Sequence, residues 1–564
     1  MAMSSLNLEN VWHKIMNKKA ERIITGILLA VAALTAVKIL LVGFDIDEQY
    51  AFALSYRLLK GDFLLKEMWE PHQTSAFFLS LIMLPYYRLA GTEGIVLYSR
   101  IVSLVIHCGI MFFLWSYLKK KISSIAALCT TVVVFFSLPK IMFLAEFSNV
   151  LMWFLLLGIL SLLWYYDGAK DGKRNRLFLV LAGIGLIFCV MAYPSMLLLL
   201  IVYIIVLLHE KESARGFAAD LFCILIPCIV AGGIMAFILL SKISPAEMTG
   251  YAQNVLQDGS HSASVADKLL LHLDSVRTIA VFLGIYLVVS VPLTFLLRVK
   301  IKEEKTVHLF LVSLGFVTLT GQLVIWIFFR KYPNYPLVEY FFVPVALLML
   351  LFINKAKVTK EVLLWFVTPV TAFLAVCILS NHPFLVSAPF LAYTIIGLVV
   401  ISSEHKWYSA EKICRALLVF WAFVICFGHL YLIRVTGGEH FTVLDHPALI
   451  RSGPAKGILA DPGTVWNYSE HTTLAADNIP KGSRVLYMGS DNILYLAGDY
   501  EVCAANVIST PTYNDLLLKY YEVNPDKKPE YIICDRAYLQ NCVELFGTEE
   551  YSEIASNDLS LVLK

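Results

Sequence analysis

Charge is what this sequence has little of: Asp, Glu, Lys and Arg make up 16% of its 564 residues, against roughly 25% in an ordinary soluble domain. Most of what would coat a water-facing surface is therefore missing. A surplus of one sign is lacking too, since 45 Lys and Arg face 43 Asp and Glu, and this excludes a nucleic-acid partner, whose footprint would be a clustered basic excess. No small-residue cleavage site comes after the first apolar run, so the start reads as an uncleaved span rather than a signal peptide. The 11 cysteines offer no disulfide framework, because most of them, Cys108, Cys129, Cys189 and Cys377 among them, lie inside apolar runs.

What the chain has in quantity is apolar length. Hydrophobic residues make up 59% and the mean hydropathy is +0.72. Apolar runs of about 18 to 25 residues recur through the first three quarters, each long enough to cross a ~30 Å hydrocarbon core. Lipid satisfies no backbone polar group, so such runs cross as helices. About thirteen spans are expected between residues 23 and 434. The basic segments Lys14 to Arg22, Lys119 to Lys121, Lys170 to Arg176, Lys211 to Arg215, Arg298 to Lys305, Lys355 to Lys360 and Lys406 to Arg415 fall on alternate sides of these spans. Cations retained on the cytoplasmic side then put the N-terminus inside, and an odd span count puts everything after Arg434 outside.

The fold class expected is thus an α-helical polytopic membrane protein, residues 1–434, followed by an extracytoplasmic α/β domain, residues 435–564. In that tail Arg484 to Met488, Tyr500 to Ala504 and Tyr531 to Cys534 read as buried strands, with helices near Asn492 to Leu496 and Tyr513 to Glu522. The turn Met488-Gly489-Ser490-Asp491 comes after a strand but lacks a full Gly-rich nucleotide fingerprint. Two long outer loops are expected, 45–94 and Lys242 to Arg277. In the first, Glu48 to Leu59 and Ser75 to Leu89 suit helices lying at the interface, with Trp69, Tyr86 and Tyr87 at headgroup level.

Asp45-Ile46-Asp47-Glu48 puts three carboxylates in four residues at the outer end of the first span. Such a cluster raises its members' pKa values and supplies a general base or a metal ligand; a solvated helix start, favoured by the dipole, is the plainer reading of the charge alone. Further along the chain come Tyr50, Gly61-Asp62, Glu70-Pro71-His72, Gly91-Thr92-Glu93 and Arg100.

In this order and spacing the sequence resembles the GT-C superfamily of membrane glycosyltransferases, in the family 39-like branch that includes protein mannosyltransferases and aminoarabinose transferases. The family's Asp-Glu pair is matched by Asp47-Glu48, its Tyr by Tyr50, its Gly-Asp step by Gly61-Asp62, its Pro motif by Glu70-Pro71-His72, and its Gly-x-Glu and Arg by Gly91-Thr92-Glu93 and Arg100. Tyr332 to Leu350, with Tyr335 inside it, is similar to the family's Tyr-rich stretch. The chain departs from the pattern at Glu146 and Asn149, where relatives often carry Asp, at Tyr193-Pro194, where many carry Lys-Pro, and at Glu339, where Arg is common.

The resemblance implies an inverting transfer of a sugar from a polyprenyl-phosphate donor to a lipid, glycan or protein acceptor at the outer face of a bacterial plasma membrane. Asp47 is then the base, with Asp45, Glu48, Tyr50, Glu70, His72, Arg100, Arg330, Lys331 and Tyr335 contacting substrate. A leaving phosphate needs cations on the outer side, and Arg330-Lys331 come first, with Lys140 and Arg277 behind them. Arg100 is expected to pair with the acidic loop. Glu70 and His72 are of the types that hold a divalent cation such as Zn²⁺ or Mn²⁺, although two ligands make no site; His261 is a further candidate in the second loop. The competing functions are a lipid-linked sugar flippase or other transporter, which would place ionisable groups at the bilayer midplane, and an O-antigen ligase or polymerase.

Overall fold

The computed structural model describes residues 18–140, 142–170, 175–211, 213–257, 264–300, 305–329, 338–379, 384–404, 411–433, 441–512, 516–547 and 551–564. Its helical part begins with α1 (Lys18–Leu41), then α2 (Ile46–Lys60), α3 (Ala76–Ala90), α4 (Ile95–Lys121), α5 (Ser124–Phe136), α6 (Phe147–Lys170), α7 (Leu177–Ala192), α8 (Leu199–His209) and α9 (Ala214–Leu240). It continues with α10 (Pro245–Leu256), α11 (Val265–Lys300), α12 (Thr306–Phe329), α13 (Val338–Ile353), α14 (Thr368–Leu379, entered through a π turn at Leu363–Val367), α15 (Tyr393–Glu404) and α16 (Glu411–Tyr431). Among the described residues, eight helices are long and apolar enough to cross a membrane, and five more apolar helices are shorter.

Burial sorts these helices. The most apolar stretch of α6 is 83% buried and that of α9 only 6%, so α6 lies in the middle of the bundle while α9 lies at its rim, packed on α7 through Ile224 and Pro227. A glycine lets α7 close on α6: a Cβ on Gly185 would stand 2.8 Å from the Phe154 carbonyl oxygen. The second long loop differs from expectation. It is largely helical, with Pro245–Leu256 opened by a Ser244/Glu247 capping box and α11 beginning at Val265 instead of near residue 278.

After α16 come two short ladders, Leu432–Ile433 with Phe441–Thr442 and Ala448–Leu449 with Leu459–Ala460. Then α17 (Pro462–Asn478) leads into a five-stranded sheet of β1 (Arg484–Met488), β2 (Glu501–Val502), β3 (Tyr531–Asp535), β4 (Glu553–Ser556) and β5 (Ser560–Leu563), with α18 (Leu517–Val523) and α19 (Leu539–Phe546) before and after β3. The strand order is β2-β1-β3-β5-β4. Strands β2, β1 and β3 run parallel, and β5 and β4 join antiparallel; near-continuous apolar runs such as Val485 to Met488 are what buried parallel strands require.

This sheet region sits on the first outer loop and on the ends of α1 and α4. Gly43 N donates to Leu459 O at 2.7 Å, and Gly94 N donates to Gly453 O at 3.0 Å. Beneath it lies a buried charge network. Arg57 of α2 is fully buried and binds Asp62 at 2.7 Å and Glu70 at 2.8 Å, while Lys527 reaches Asp62 at 2.6 Å. Two cations thus meet two carboxylates, which is the condition for keeping charge inside. Gly61 makes the turn: it closes α2 in the left-handed region at φ +98°, where a side chain would be strained, and so delivers Asp62 back to Arg57. Trp69, expected at headgroup level, is instead buried and meets the Tyr520 ring edge-on at 5.2 Å, because this region covers it.

Candidate active site

The acidic cluster is the first turn of α2. Asp45 is its N-cap, accepting from Glu48 N at 3.1 Å, and the helix dipole favours carboxylates there. Successive helical residues then diverge by about 100°, which gives the three carboxylates different surroundings. Asp45 is buried at the cap, Glu48 is buried in the bundle, and the Asp47 side chain remains 42% exposed.

Glu48 meets Arg100 in a forked pair, Nε to Oε1 at 2.6 Å and Nη2 to Oε2 at 2.5 Å. Arg100 also donates to the carbonyls of Leu40 at 2.9 Å and Gly43 at 2.5 Å. The guanidinium therefore ties together the end of α1, the start of α2 and α4. Both groups are almost wholly buried, so this pair anchors the turn that carries Asp47 and is closed to a substrate in this state.

Asp47 Oδ2 lies 3.2 Å from Lys140 Nζ. The same ammonium stands 4.1 Å from the centre of the Phe147 ring, and Phe147 stacks on His72 at 4.2 Å with 6° between the planes. Tyr193 meets His72 edge-on at 5.0 Å and shares a hydrogen bond with Ser148 at 3.2 Å. Glu146 caps α6, accepting from Ser148 N at 2.9 Å and Asn149 N at 2.7 Å. Burial pushes its carboxyl above the usual carboxylate range, against the pull of Lys140 and the two amides. Tyr50 is buried on the inner side of this group, beside Ala145, Glu146 and Phe147. Four separate stretches of chain thus converge on one corner: the start of α2, the turn at His72, Lys140 with Glu146 to Ser148, and Tyr193.

Glu70 belongs elsewhere. Its Oε1 accepts from Arg57 at 2.8 Å and from Val507 N at 3.0 Å under the sheet region, and burial pushes its carboxyl up despite Arg57. His72 Nδ1 lies 3.3 Å from the Ala192 carbonyl. As a pair of metal ligands these two do not fit, because Glu70 already serves a guanidinium that would repel a cation and the His72 ring is committed to its stack. Among the described residues no group of three or more His, Cys, Asp or Glu is gathered to hold a metal ion. Arg330, Lys331, Tyr335 and His261 lie outside the described residues. Arg277 is exposed on α11.

Some participants carried no motif. Gln49, two residues after Asp47, donates to Asp491 at 3.3 Å and accepts from Ile493 N at 3.4 Å. Asp491 lies beyond the carboxyl end of β1 and pairs with His471 Nδ1 at 2.6 Å, while Asp535 at the end of β3 approaches His471 Nε2 to 3.3 Å. Burial disfavours the charged ring, yet the two carboxylates outweigh it and push His471 up to about 9. The only sequence signal was the Gly489-Ser490-Asp491 turn, which holds a histidine of the same chain.

No protein-family model and no curated protein matches the chain. Among solved structures, ArnT from Cupriavidus metallidurans in the apo state is similar with a TM-score of 0.50 at 11% identity, over 96% of this chain and 97% of that one. The same protein bound to undecaprenyl phosphate gives 0.47 at 12% identity, over 96% and 97%. The archaeal oligosaccharyltransferase AglB from Archaeoglobus fulgidus gives 0.43 at 11% identity, over 92% of this chain and 70% of that one. The likeness to apo ArnT shows the fold, which is of the GT-C type.

Proposed function

We propose that the chain is an inverting glycosyltransferase that moves a sugar from a polyprenyl-phosphate donor to an acceptor hydroxyl at the outer face of a plasma membrane. The observation that carries this reading is the half-exposed Asp47 carboxylate held 3.2 Å from Lys140 on the sheet-bearing end of a GT-C-type bundle. The basic segments mark the opposite end as cytoplasmic.

In the reaction Asp47 accepts the proton of the acceptor hydroxyl as its oxygen attacks the anomeric carbon from the face opposite the phosphate. The bond from that carbon to the phosphate oxygen breaks, and the electron pair leaves with the lipid phosphate. Lys140 meets the developing negative charge. Its pairing with Asp47 in the donor-free state keeps an ammonium at the place a phosphate must occupy, and a bound phosphate draws it away and frees Asp47 for the acceptor. His72 and Phe147 hold Lys140 from behind, and the Glu48–Arg100 pair fixes the helix start. No step needs a metal ion, since proton transfer and charge neutralisation are both supplied by side chains. The midplane ionisable groups of a transporter have no counterpart in this corner, which lies at a bundle end.

The test is transfer of a labelled sugar from synthetic polyprenyl-phosphate sugars to a panel of membrane acceptors by the purified chain. Transfer with inverted anomeric configuration supports the reading. Movement of the intact lipid-linked sugar between leaflets without any new glycosidic bond would put the transporter in its place.

A further inference from the structure

A cavity lies apart from the corner that holds Asp47, with none of that corner's residues in its lining. It measures about 550 Å³ and is lined by α5, α12, α13, α15 and α16. The end lined by Ile122 and Ser123, directly after α4, is the one next to the basic segment Lys119 to Lys121 and is here called its mouth. That helix has 27 residues and starts beneath the sheet region, so the mouth lies about 40 Å away along the bundle, at the basic end.

The lining is sorted along its depth. Ser123, Ser402, Ser403 and Arg415 stand at the mouth, whereas Ile395 and Trp421 lie six or seven residues further into their helices, about 10 Å deeper. Phe342 and Ala346 meet them there from α13. A polar mouth over an apolar shaft at bilayer depth suits an amphiphile lying parallel to the helices. The hydroxyls make the same point independently. Ser402 is 8% exposed, and its Oγ, like that of Ser123, is buried with no hydrogen-bond partner among the described residues. A buried hydroxyl left without a partner is costly, and both of these belong to residues that line the cavity.

Charge selects the head. Lys119, Lys120 and Lys121 immediately precede Ile122, and Arg415 lies across the mouth. Lys121 is paired with Asp167 at 3.1 Å and Glu404 at 3.4 Å, so that among the described residues here four cations stand with two carboxylates. We infer that this cavity is a binding site for one anionic phospholipid of the leaflet at the basic end, its acyl chain in the shaft and its phosphate group at Arg415, Ser123 and Ser402. The site is independent of sugar transfer and distinct from any donor site near Asp47.

The full chain, purified in detergent and stripped of lipid, is titrated with phosphatidylglycerol and with phosphatidylcholine and read by native mass spectrometry. One phosphatidylglycerol per chain is expected, retained roughly tenfold more tightly than phosphatidylcholine. Ala346→Phe fills the shaft and should abolish the adduct, while Ser402→Ala should weaken it several-fold with a melting temperature of the lipid-free chain no lower than wild type's. Ser402→Ala is the deciding variant should Ala346→Phe fail to fold. Equal retention of the two lipids, an adduct unaffected by Ser402→Ala, or stoichiometric displacement by undecaprenyl phosphate would overturn the inference, the last by assigning the shaft to a polyprenyl chain.

Discussion

Lys140 Nζ lies 3.2 Å from Asp47 Oδ2 and 4.1 Å from the centre of the Phe147 ring. One ammonium thus joins the start of α2 to the start of α6 and sets a cation beside a carboxylate that water can still reach. The two groups proposed for opposite halves of the reaction, taking a proton and receiving a phosphate, are neighbours before any substrate arrives.

Asp47→Asn keeps the shape of the turn and removes the proton acceptor. Loss of a general base costs about 10² to 10⁴ in rate, so sugar transfer should nearly vanish while binding of the lipid donor stays measurable. Near wild-type turnover of this variant would move the base to another member of the cluster.

Lys140→Met should lower the rate of transfer by about 10² to 10³, the usual cost of losing a group that stabilises a developing anion, and should weaken donor binding as well. Lys140→Arg keeps the charge and should recover part of both. The measurement is kcat and KM with a synthetic donor; a changed acceptor KM with the donor step untouched would place Lys140 on the acceptor instead.

Glu48 and Arg100 form a buried forked pair, and removing one partner strands the other. Arg100→Ala and Glu48→Gln should each destabilise the fold, by about 3–5 kcal/mol for a fully broken pair, and both should lower the thermal midpoint in detergent. The double variant Glu48→Leu/Arg100→Met should lose less than the sum. Additive losses would show that the two residues act separately.

His471 is held charged between Asp491 and Asp535, pushed up to about 9 from an ordinary value of 6.5. A raised folded-state value means that its stabilisation is fully present below about pH 6.5 and is lost as pH rises through about 9. The thermal midpoint of the full chain should therefore fall between about pH 7 and pH 9 more steeply in wild type than in His471→Gln. Identical pH profiles for the two proteins would remove the charged histidine from the account.

Sidedness is open to labelling. Ser452 and Lys120 are both exposed, the first beside the sheet region and the second at the basic end. In intact cells Ser452→Cys should react with an impermeant maleimide and Lys120→Cys should not. The reverse pattern would put Asp47 in the cytoplasm and end the proposed mechanism.

The sequence alone determined what depends on composition and short-range pattern. Long apolar runs admit helices because lipid leaves the backbone no other partner. The helices at Ile46–Lys60 and Ala76–Ala90 and the strands Arg484–Met488 and Tyr531–Asp535 were legible for the same kind of reason, a local periodicity or an apolar run bounded by turn residues. The carboxylates of residues 45–48 could be read as a cluster, and Arg100 as a cation in need of one of them. Which carboxylate each cation takes is a matter of direction in space, and there the tertiary structure decided. A helical step of about 100° sends Glu48 to Arg100 and leaves Asp47 to Lys140, a residue 93 positions on that no motif links to it. Glu70 and His72, two residues apart in sequence, part company because Arg57 under the sheet region draws one and the rings of Phe147 and Tyr193 draw the other. Pairings over such separations depend on how the helices and the sheet region pack, and local sequence carries no record of that.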